Sequence, residues 1–486
     1  MWLRASPDVT NITFCPSSSL AVGSNDSVSN MSLMQTLPSE LVEGIACAAY
    51  DEGENKQDVA SLMATCQVFR TPARSVLWES LSSIVPLLKI LPERRWKMVQ
   101  ENGRNAFQWK DSWVFDRSLT ARLEAYARLV KRFKWNKQRD ITIPSLNALL
   151  VKWPGVLSNG IFPQLRYLKW EEDEVDGALF CVFLARIPGK EPQTIHLGSS
   201  QNVGPKHQEL ILFALQMIQW SNLDHFRLHA CYLPDPIGVG HHLSHFLTSV
   251  VPPRGFRTFE CTSAPIGYDG VRALANMQDL QIAAFWPSIS DSFAPDNPQE
   301  TEASFSSLRE LHINSTVLGA LEESLYSITA ETLEPLLRIS NLQSFILRCS
   351  YIKVDTAFLA GLAEACKCLE KLYLYSEKLM PFSCLRTVAQ QFPRLISFGC
   401  HIDAKNVPEE LPQKPDVPST LGSLSVDVSP ISNSELVAEH LAVLFPELER
   451  VVHVYKSDGK EALLWKAVET RFVPNRYRRE YVPLRV

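Results

Sequence analysis

Glycine is scarce in this chain, 20 residues of 486. That is thin for an enzyme built on glycine-rich phosphate loops, and the motifs of such loops are missing. The sequence holds no GxxxxGK[ST], no GxGxxG, no HExxH and no GxSxG. No run approaches about 18 consecutive apolar residues, so no membrane span is expected. Cysteine is present but unpatterned: 11 residues, an odd number, with no repeated CxxC pairs. A disulfide framework needs dense, paired spacing in a short chain, so the thiols read as reduced and mostly buried, and the compartment as cytoplasmic or nuclear. The lone Cys366-Lys367-Cys368 has no matching His or Cys pair nearby, so no metal is expected there. The formal net charge of -5 argues against a dedicated nucleic-acid binder. No cofactor is implied.

Catalytic groupings are equally absent. His241-His242 with His245 is a cluster of histidines, but no carboxylate or cysteine stands at ligand spacing, so a polar helix edge is the reading. Glu171-Glu172 and Glu322-Glu323 are adjacent carboxylates, which do not make an acid/base pair. The chain reads as a non-enzyme.

What is there is an ordinary globular composition, 45% hydrophobic. The length fits roughly three domains or one long repeat array. Residues 1–33 are rich in Ser, Asn and Thr, lack the pattern of a signal peptide and read as a disordered tail. Residues 34–82 read as three short helices. Leu37-Pro38-Ser39-Glu40-Leu41 opens the first, with Leu41 and Ile45 at helical spacing. Asp58 reads as the N-cap of the second, whose stripe is Val59, Leu62, Met63, Cys66 and Phe69. Pro72 interrupts, and Ala73, Val76, Leu77 and Trp78 begin the third.

This stretch, "LPSELVEGI…DVASLMATCQVFRTPARSVLWESL", resembles an F-box, and its wording around Cys66, Phe69, Ala73, Arg74 and Leu77-Trp78 is similar to the F-box proteins expanded in fungi. The loop from Tyr50 to Gln57 is longer and more acidic than the family's usual one. The resemblance implies docking on a Skp-type adaptor and, through it, a cullin scaffold carrying ubiquitin-conjugating machinery. By motif position the adaptor-facing residues would be Pro38, Leu41, Ile45, Leu62, Cys66 and Phe69.

Past residue 128 a triplet recurs: an apolar residue, two variable, an apolar, one variable, an apolar. The copies are Leu165/Leu168/Trp170, Pro192/Ile195/Leu197, Leu223/Phe226/Leu228, Phe256/Phe259/Cys261, Met277/Leu280/Ile282 and Leu308/Leu311/Ile313. They continue as Leu342/Phe345/Leu347, Leu369/Leu372/Leu374, Leu395/Phe398/Cys400, Leu421/Leu424/Val426 and Leu448/Val451/His453, with Val130/Phe133/Trp135 as an earlier candidate. The last four spacings are 27, 26, 26 and 27 residues. Helical stretches fall between copies, at 209–220, 355–367, 382–392 and 434–445. A short strand and a helix at this period resemble leucine-rich repeats, although no Asn stands at the ladder position.

The fold class expected is therefore α/β: an N-terminal three-helix F-box at 34–82, then an irregular leucine-rich-repeat solenoid at 129–456. Its parallel strands would lie on a concave face with helices outside. Residues 83–128 read as a basic helical linker or cap, and 457–486 as a C-terminal helix and basic tail. Residues 89–139 hold 14 Lys/Arg against 5 Asp/Glu, which reads as a solvated face. Residues 290–304 and 407–418 read as protruding insertions.

In a strand, alternate residues face opposite ways, so the variable positions line the exposed face. Arg348, Tyr373 and Tyr375 fall there on neighbouring repeats, with Arg227 and His312 at like positions, and Tyr and Arg are typical binding anchors. The function expected is a substrate-recognition subunit of a Skp/cullin/F-box-type ubiquitin ligase, its repeats holding an unidentified target protein. The alternative is a repeat scaffold without a ubiquitin role. An enzyme of unrecognised type is a third reading and would need a pocket of converging carboxylates or histidines.

Overall fold

Each apolar triplet should place its second and third residues in a strand, and the computed structural model of the chain has this arrangement with one correction. The structure describes residues 38–50, 56–65, 67–101, 103–110, 116–135, 140–153, 160–171, 193–199, 222–230, 236–249, 254–287, 305–315, 339–349, 354–415, 417–453 and 459–472. The chain divides into two units, the first running essentially to Leu168 and the second beyond it.

The first unit opens with three helices, α1 (Ser39–Ala48), α2 (Lys56–Thr65) and α3 (Gln67–Glu79). Ala46, Val59, Ala73 and Val76 form their shared core, with Leu62, Met63 and Leu77 packed against it. Two sequence expectations are corrected. Asp58 lies inside the first turn of α2 rather than at its cap. Pro72 lies inside α3 and does not end it. The buried stripe Phe69, Ala73 and Val76 continues through the proline, and the burial of three side chains outweighs one lost backbone bond.

Residues 83–128 are not all helical. After the short helix α4 (Val85–Leu88), an antiparallel hairpin forms from β2 (Trp96–Glu101) and β3 (Arg104–Trp109). Asn102-Gly103 is a strong hairpin signal in the sequence, and Gly103 adopts a φ of 76° that suits glycine. Ala106, Phe107 and Trp109 are buried, and the Trp109 indole donates to the Ser145 carbonyl at 2.9 Å. Helix α5 (Arg117–Ala127) follows, capped by Asp116, whose carboxylate accepts from the Leu119 amide at 2.8 Å. Strand β1 (Ser80–Leu81) pairs in parallel with β4 (Arg132–Trp135), which buries Phe133 and Trp135. Helix α6 (Ile143–Lys152) precedes β5 (Tyr167–Glu171), the neighbour of β4.

The second unit is a parallel sheet interleaved with helices, an α/β arrangement of leucine-rich-repeat-like kind. Its strands are β6 (Thr194–Ser199), β7 (His225–Ala230), β8 (Thr258–Ile266), β9 (Ile282–Pro287), β10 (Glu310–Ser315), β11 (Ser344–Cys349) and β12 (Lys371–Tyr375). After the two-residue β13 (Met380–Pro381) come β14 (Ser397–Cys400), β15 (Ile402–Asp403), β16 (Ser423–Asp427) and β17 (Arg450–His453). Neighbours in the main sheet follow chain order, β13 and β15 pairing separately. The helices are α7 (Pro236–Ser249), α8 (Tyr268–Ala275), α9 (Thr356–Ala365), α10 (Cys384–Gln391), α11 (Ser434–Leu444) and α12 (Lys460–Phe472).

The triplet at Met277 is displaced. Ile282 pairs with Thr258 and Phe285 with Cys261, so the true copy is Leu280/Ala283/Phe285. Ala283 is fully buried but too small to register as an apolar beat. The core is otherwise the triplets themselves. Phe226 and Phe259 stack with centroids 5.8 Å apart, and Leu311, Leu347, Leu372, Phe398, Leu424 and Val451 are all buried. Burying each such side chain contributes about 1.5–3 kcal/mol.

Close approach decides one helix–strand junction. A Cβ on Gly240 of α7 would sit 1.8 Å from the Pro265 carbonyl oxygen, so only glycine fits. Nearby Ser244 donates to the Gly240 carbonyl at 2.8 Å and accepts from the Gly267 amide at 2.9 Å. At the other end α12 packs on β17, burying Trp465, whose indole donates to the Ser429 carbonyl at 2.7 Å. The described residues at 405–415 and 417–420 are irregular and mostly exposed, as the prolines lead one to expect. The anticipated tail at 1–33, insertion at 290–304 and helix at 209–220 lie outside the described residues.

Candidate functional site

Two faces emerge, one in each unit. On α1, residues four apart share a face. Val42 and Ala46 point into the three-helix core, which turns Leu41 and Ile45 outward, 55% and 44% exposed. Pro38 is exposed beside them. Not all of the stripe anticipated from the sequence shares this face. Leu62 is half-buried against the helical core, and Phe69 is buried at 5% exposure, so it stabilises the unit's interior instead of presenting a docking surface. Cys66 lies outside the described residues.

The second face is the side of the parallel sheet opposite the buried triplets. Parallel pairing sets equivalent residues side by side. Arg348 of β11 pairs with Tyr375 of β12, and Tyr373 stands between Ile346 of β11 and Gly399 of β14. The Arg348 guanidinium lies 5.2 Å from the centre of the Tyr375 ring. The rings of Tyr373 and Tyr375 are 6.0 Å apart and 25° from parallel. Tyr375 in turn meets His401 edge to face at 5.9 Å.

Both tyrosines are anchored. The Tyr373 hydroxyl bonds the Ser397 hydroxyl at 2.6 Å. Burial pushes the Tyr375 phenol above its usual range, against a hydrogen bond with the Ser425 side chain. His401 is held from both sides, Nε2 by the Asp427 carboxylate at 2.8 Å and Nδ1 by the Ser376 carbonyl. Asp427 itself has a φ of 43°, at a bulge where β16 pairs with β17.

Of the five residues picked from the sequence, the structure joins Arg348, Tyr373 and Tyr375 into one cluster. His312 lies close by on β10, paired in register with Ile346. Burial holds its imidazole below the usual range. Glu310 and Glu260 oppose that shift, while Arg348 and Lys371 reinforce it. Arg227 stands apart on β7, bound to Glu260 at 2.7 Å. The residues picked from the sequence do not include His401, Asp427, Ser397, Ser425 or Lys371, which the structure sets on or beside this face. The signal for two of these residues is in the repeat: the residue after the triplet's last apolar is Arg348, Tyr375, His401 and Asp427 in successive copies.

The other features singled out in the sequence lie elsewhere. His241, His242 and His245 are on α7, with His245 bonded to Ser249 at 3.2 Å. Cys366 is buried, and Cys368 meets the Arg394 guanidinium at 3.9 Å. Among the described residues no helix is long and apolar enough to cross a membrane.

No family model matches the chain, and no curated protein matches it. Among solved structures it is similar to the yeast Rad7 and Elc1 complex, at 12% identity and a TM-score of 0.33, covering 68% of this chain and 79% of that one. It is similar to the same degree, 12% and 0.33, to an internalin from Listeria monocytogenes, covering 68% of this chain and 82% of that one. Likeness at this level carries no conclusion about function.

Proposed function

We propose that this chain is the substrate-recognition subunit of a Skp/cullin/F-box-type ubiquitin ligase. The α1 face docks on a Skp-type adaptor, and the sheet face of the second unit holds a target protein. The observation that carries the reading is the outward turn of Leu41 and Ile45, an apolar pair left in water by a helix whose other side is packed in the core. The chain performs no bond chemistry in this reading. It raises the effective concentration of a target's lysines near a conjugating enzyme supplied by other subunits.

The test is a pull-down of the full chain with a purified Skp-type adaptor, wild type against Leu41→Asp plus Ile45→Asp. Both positions are exposed, so circular dichroism should be unchanged. Binding by wild type and loss in the variant supports the reading. No binding by wild type overturns it and leaves a repeat scaffold with a helical N-terminal unit, the second reading, which the anchored cluster on the sheet face supports independently of any adaptor.

A further inference from the structure

Strand β2 of the first unit is paired along one edge. Its partner is β3, antiparallel, with Met98 opposite Phe107 and Gln100 opposite Asn105, in a sheet of those two strands. Phe107 turns its backbone the other way: its N–H donates to the Asp140 carbonyl at 2.6 Å, and its C=O accepts from the Thr142 amide at 2.9 Å. In an antiparallel ladder the bonding direction alternates along each strand, and residues directly opposite alternate together. Met98 and Gln100 therefore point their N–H and C=O groups away from β3. Among the described residues these groups find no other backbone partner. The side chains agree with an open edge: Lys97, Met98, Gln100 and Glu101 are all exposed, Met98 at 38%. Such an edge is a template for another strand.

We propose that two copies of this chain pair edge to edge through β2, antiparallel about a two-fold axis at Val99, and so join their hairpins into one continuous sheet. The free groups set the register. With Met98 bonded to Gln100 of the second copy, and Gln100 to Met98, every outward N–H and C=O of the two residues is used. A slide that centres the axis on Met98 would need the Trp96 N–H, which already donates to the Glu93 carbonyl. In the chosen register Val99 meets Val99 at the axis, in a wide pair where side chains come closest. Lys97 meets Glu101 of the second copy, and the symmetry makes this pair twice. Glu101 then lies between Arg104 on its own β3 and Lys97 across the edge. A lysine within an edge strand ordinarily blocks pairing. Here a carboxylate on the same strand, at the matching distance from the axis, answers it. That self-complementarity selects a second copy over an unrelated strand. The contact is short, so the dimer is weak and grows with concentration.

The test is sedimentation velocity of the full chain over a wide range of concentration, where wild type should pass from monomer to dimer. Lys97→Glu and Glu101→Lys, taken singly, set like charges against each other on both sides of the axis. Each should weaken the dimer about tenfold, since opposite charges across strands attract and like charges repel. Both positions are exposed, so circular dichroism should be unchanged. Mixed together, the two variants should associate with each other at about wild-type strength, because each contact then sets Glu against Lys. Leu41→Asp plus Ile45→Asp should leave the dimer intact. A chain that stays monomeric at every concentration overturns the proposal. So does a dimer that the single variants leave unchanged, or one that their mixture fails to restore. Loss of the dimer in the Leu41/Ile45 variant overturns it too, by placing self-association on α1. The adaptor pull-down reads the ligase role separately, so either idea can fail while the other stands.

Discussion

The ring of Tyr373 lies on the backbone of Gly399, so close that a Cβ there would come within 2.3 Å of Cδ1 and 2.8 Å of Cε1. Glycine at 399 therefore makes the flat seat on which the aromatic cluster rests. Gly399→Ala should push the ring off Ser397 and cost about 1–3 kcal/mol, as overpacking does. Tyr373→Phe loses only the hydroxyl bond and should cost about 0.5–1.5 kcal/mol. Urea denaturation of the two variants measures the difference. A Gly399→Ala protein as stable as wild type would show that the ring is not held there.

Two helical glycines make a sharper pair. A Cβ on Gly240 would meet the Pro265 carbonyl oxygen at 1.8 Å, whereas one on Gly361 in α9 would have nothing within 4 Å. Gly361→Ala should stabilise by about 0.5–1 kcal/mol through helix propensity. Gly240→Ala should destabilise, because a backbone oxygen cannot swing aside. Thermal melts of the two variants should move in opposite directions.

The helical unit offers a similar contrast that sequence spacing alone does not reveal. The motif puts Leu41 and Phe69 on one adaptor-facing stripe, yet Leu41 is 55% exposed and Phe69 5%. Helical spacing tells which residues share a face of one helix, and it does not tell how three helices turn those faces toward one another. The repeat is far more legible, because each triplet is a local pattern fixed by strand geometry. It fails where Ala283 is too small to count as apolar, and that slips one strand by three residues. The hairpin at 96–109 replaces an expected helix. Asn102-Gly103 announces the turn, but the dense Lys and Arg around it read equally well as the solvated face of a helix. Arg348, Tyr373 and Tyr375 come together as alternation requires, but the hydrogen bonds that anchor the tyrosines depend on Ser397 and Ser425, which nothing in the sequence marks.

Stability should fall on mild acidification. Burial depresses the imidazoles of His225, His312 and His453 from the usual 6.5. The unfolded chain then binds more protons than the folded one. Stability is full above about pH 6.5 and is lost as pH falls through the lower folded values. Ordinary carboxylates begin to titrate only near about pH 5 and below, and Asp140, raised by burial, acts in the opposite direction, so a decline across the window reads the histidines. Urea midpoints should decline across that window, and a flat profile would show that these rings carry no such penalty.

Thiol reactivity should follow burial. Burial pushes the Cys261 and Cys366 thiols up to about 11, whereas Cys47 is exposed on α1. With iodoacetamide near neutral pH, peptides carrying Cys47 should be labelled long before those carrying Cys261 or Cys366. Mass spectrometry of timed digests reads the order. Early labelling of Cys261 would mean that β8 opens readily.

Parallel pairing has a consequence for how this surface can change. Asn314, Arg348, Tyr375 and Asp427 stand on strands of the main sheet and His401 directly follows β14, yet each of the five is 26 to 34 residues from the next along the chain. The surface is thus spelled one letter per strand, and no contiguous stretch of sequence reproduces it. A fragment cut from the chain cannot reproduce the row, and an insertion in a connecting loop shifts no letter. The row can be rewritten by single substitutions at a fixed interval, while the apolar beat beneath them stays as it is.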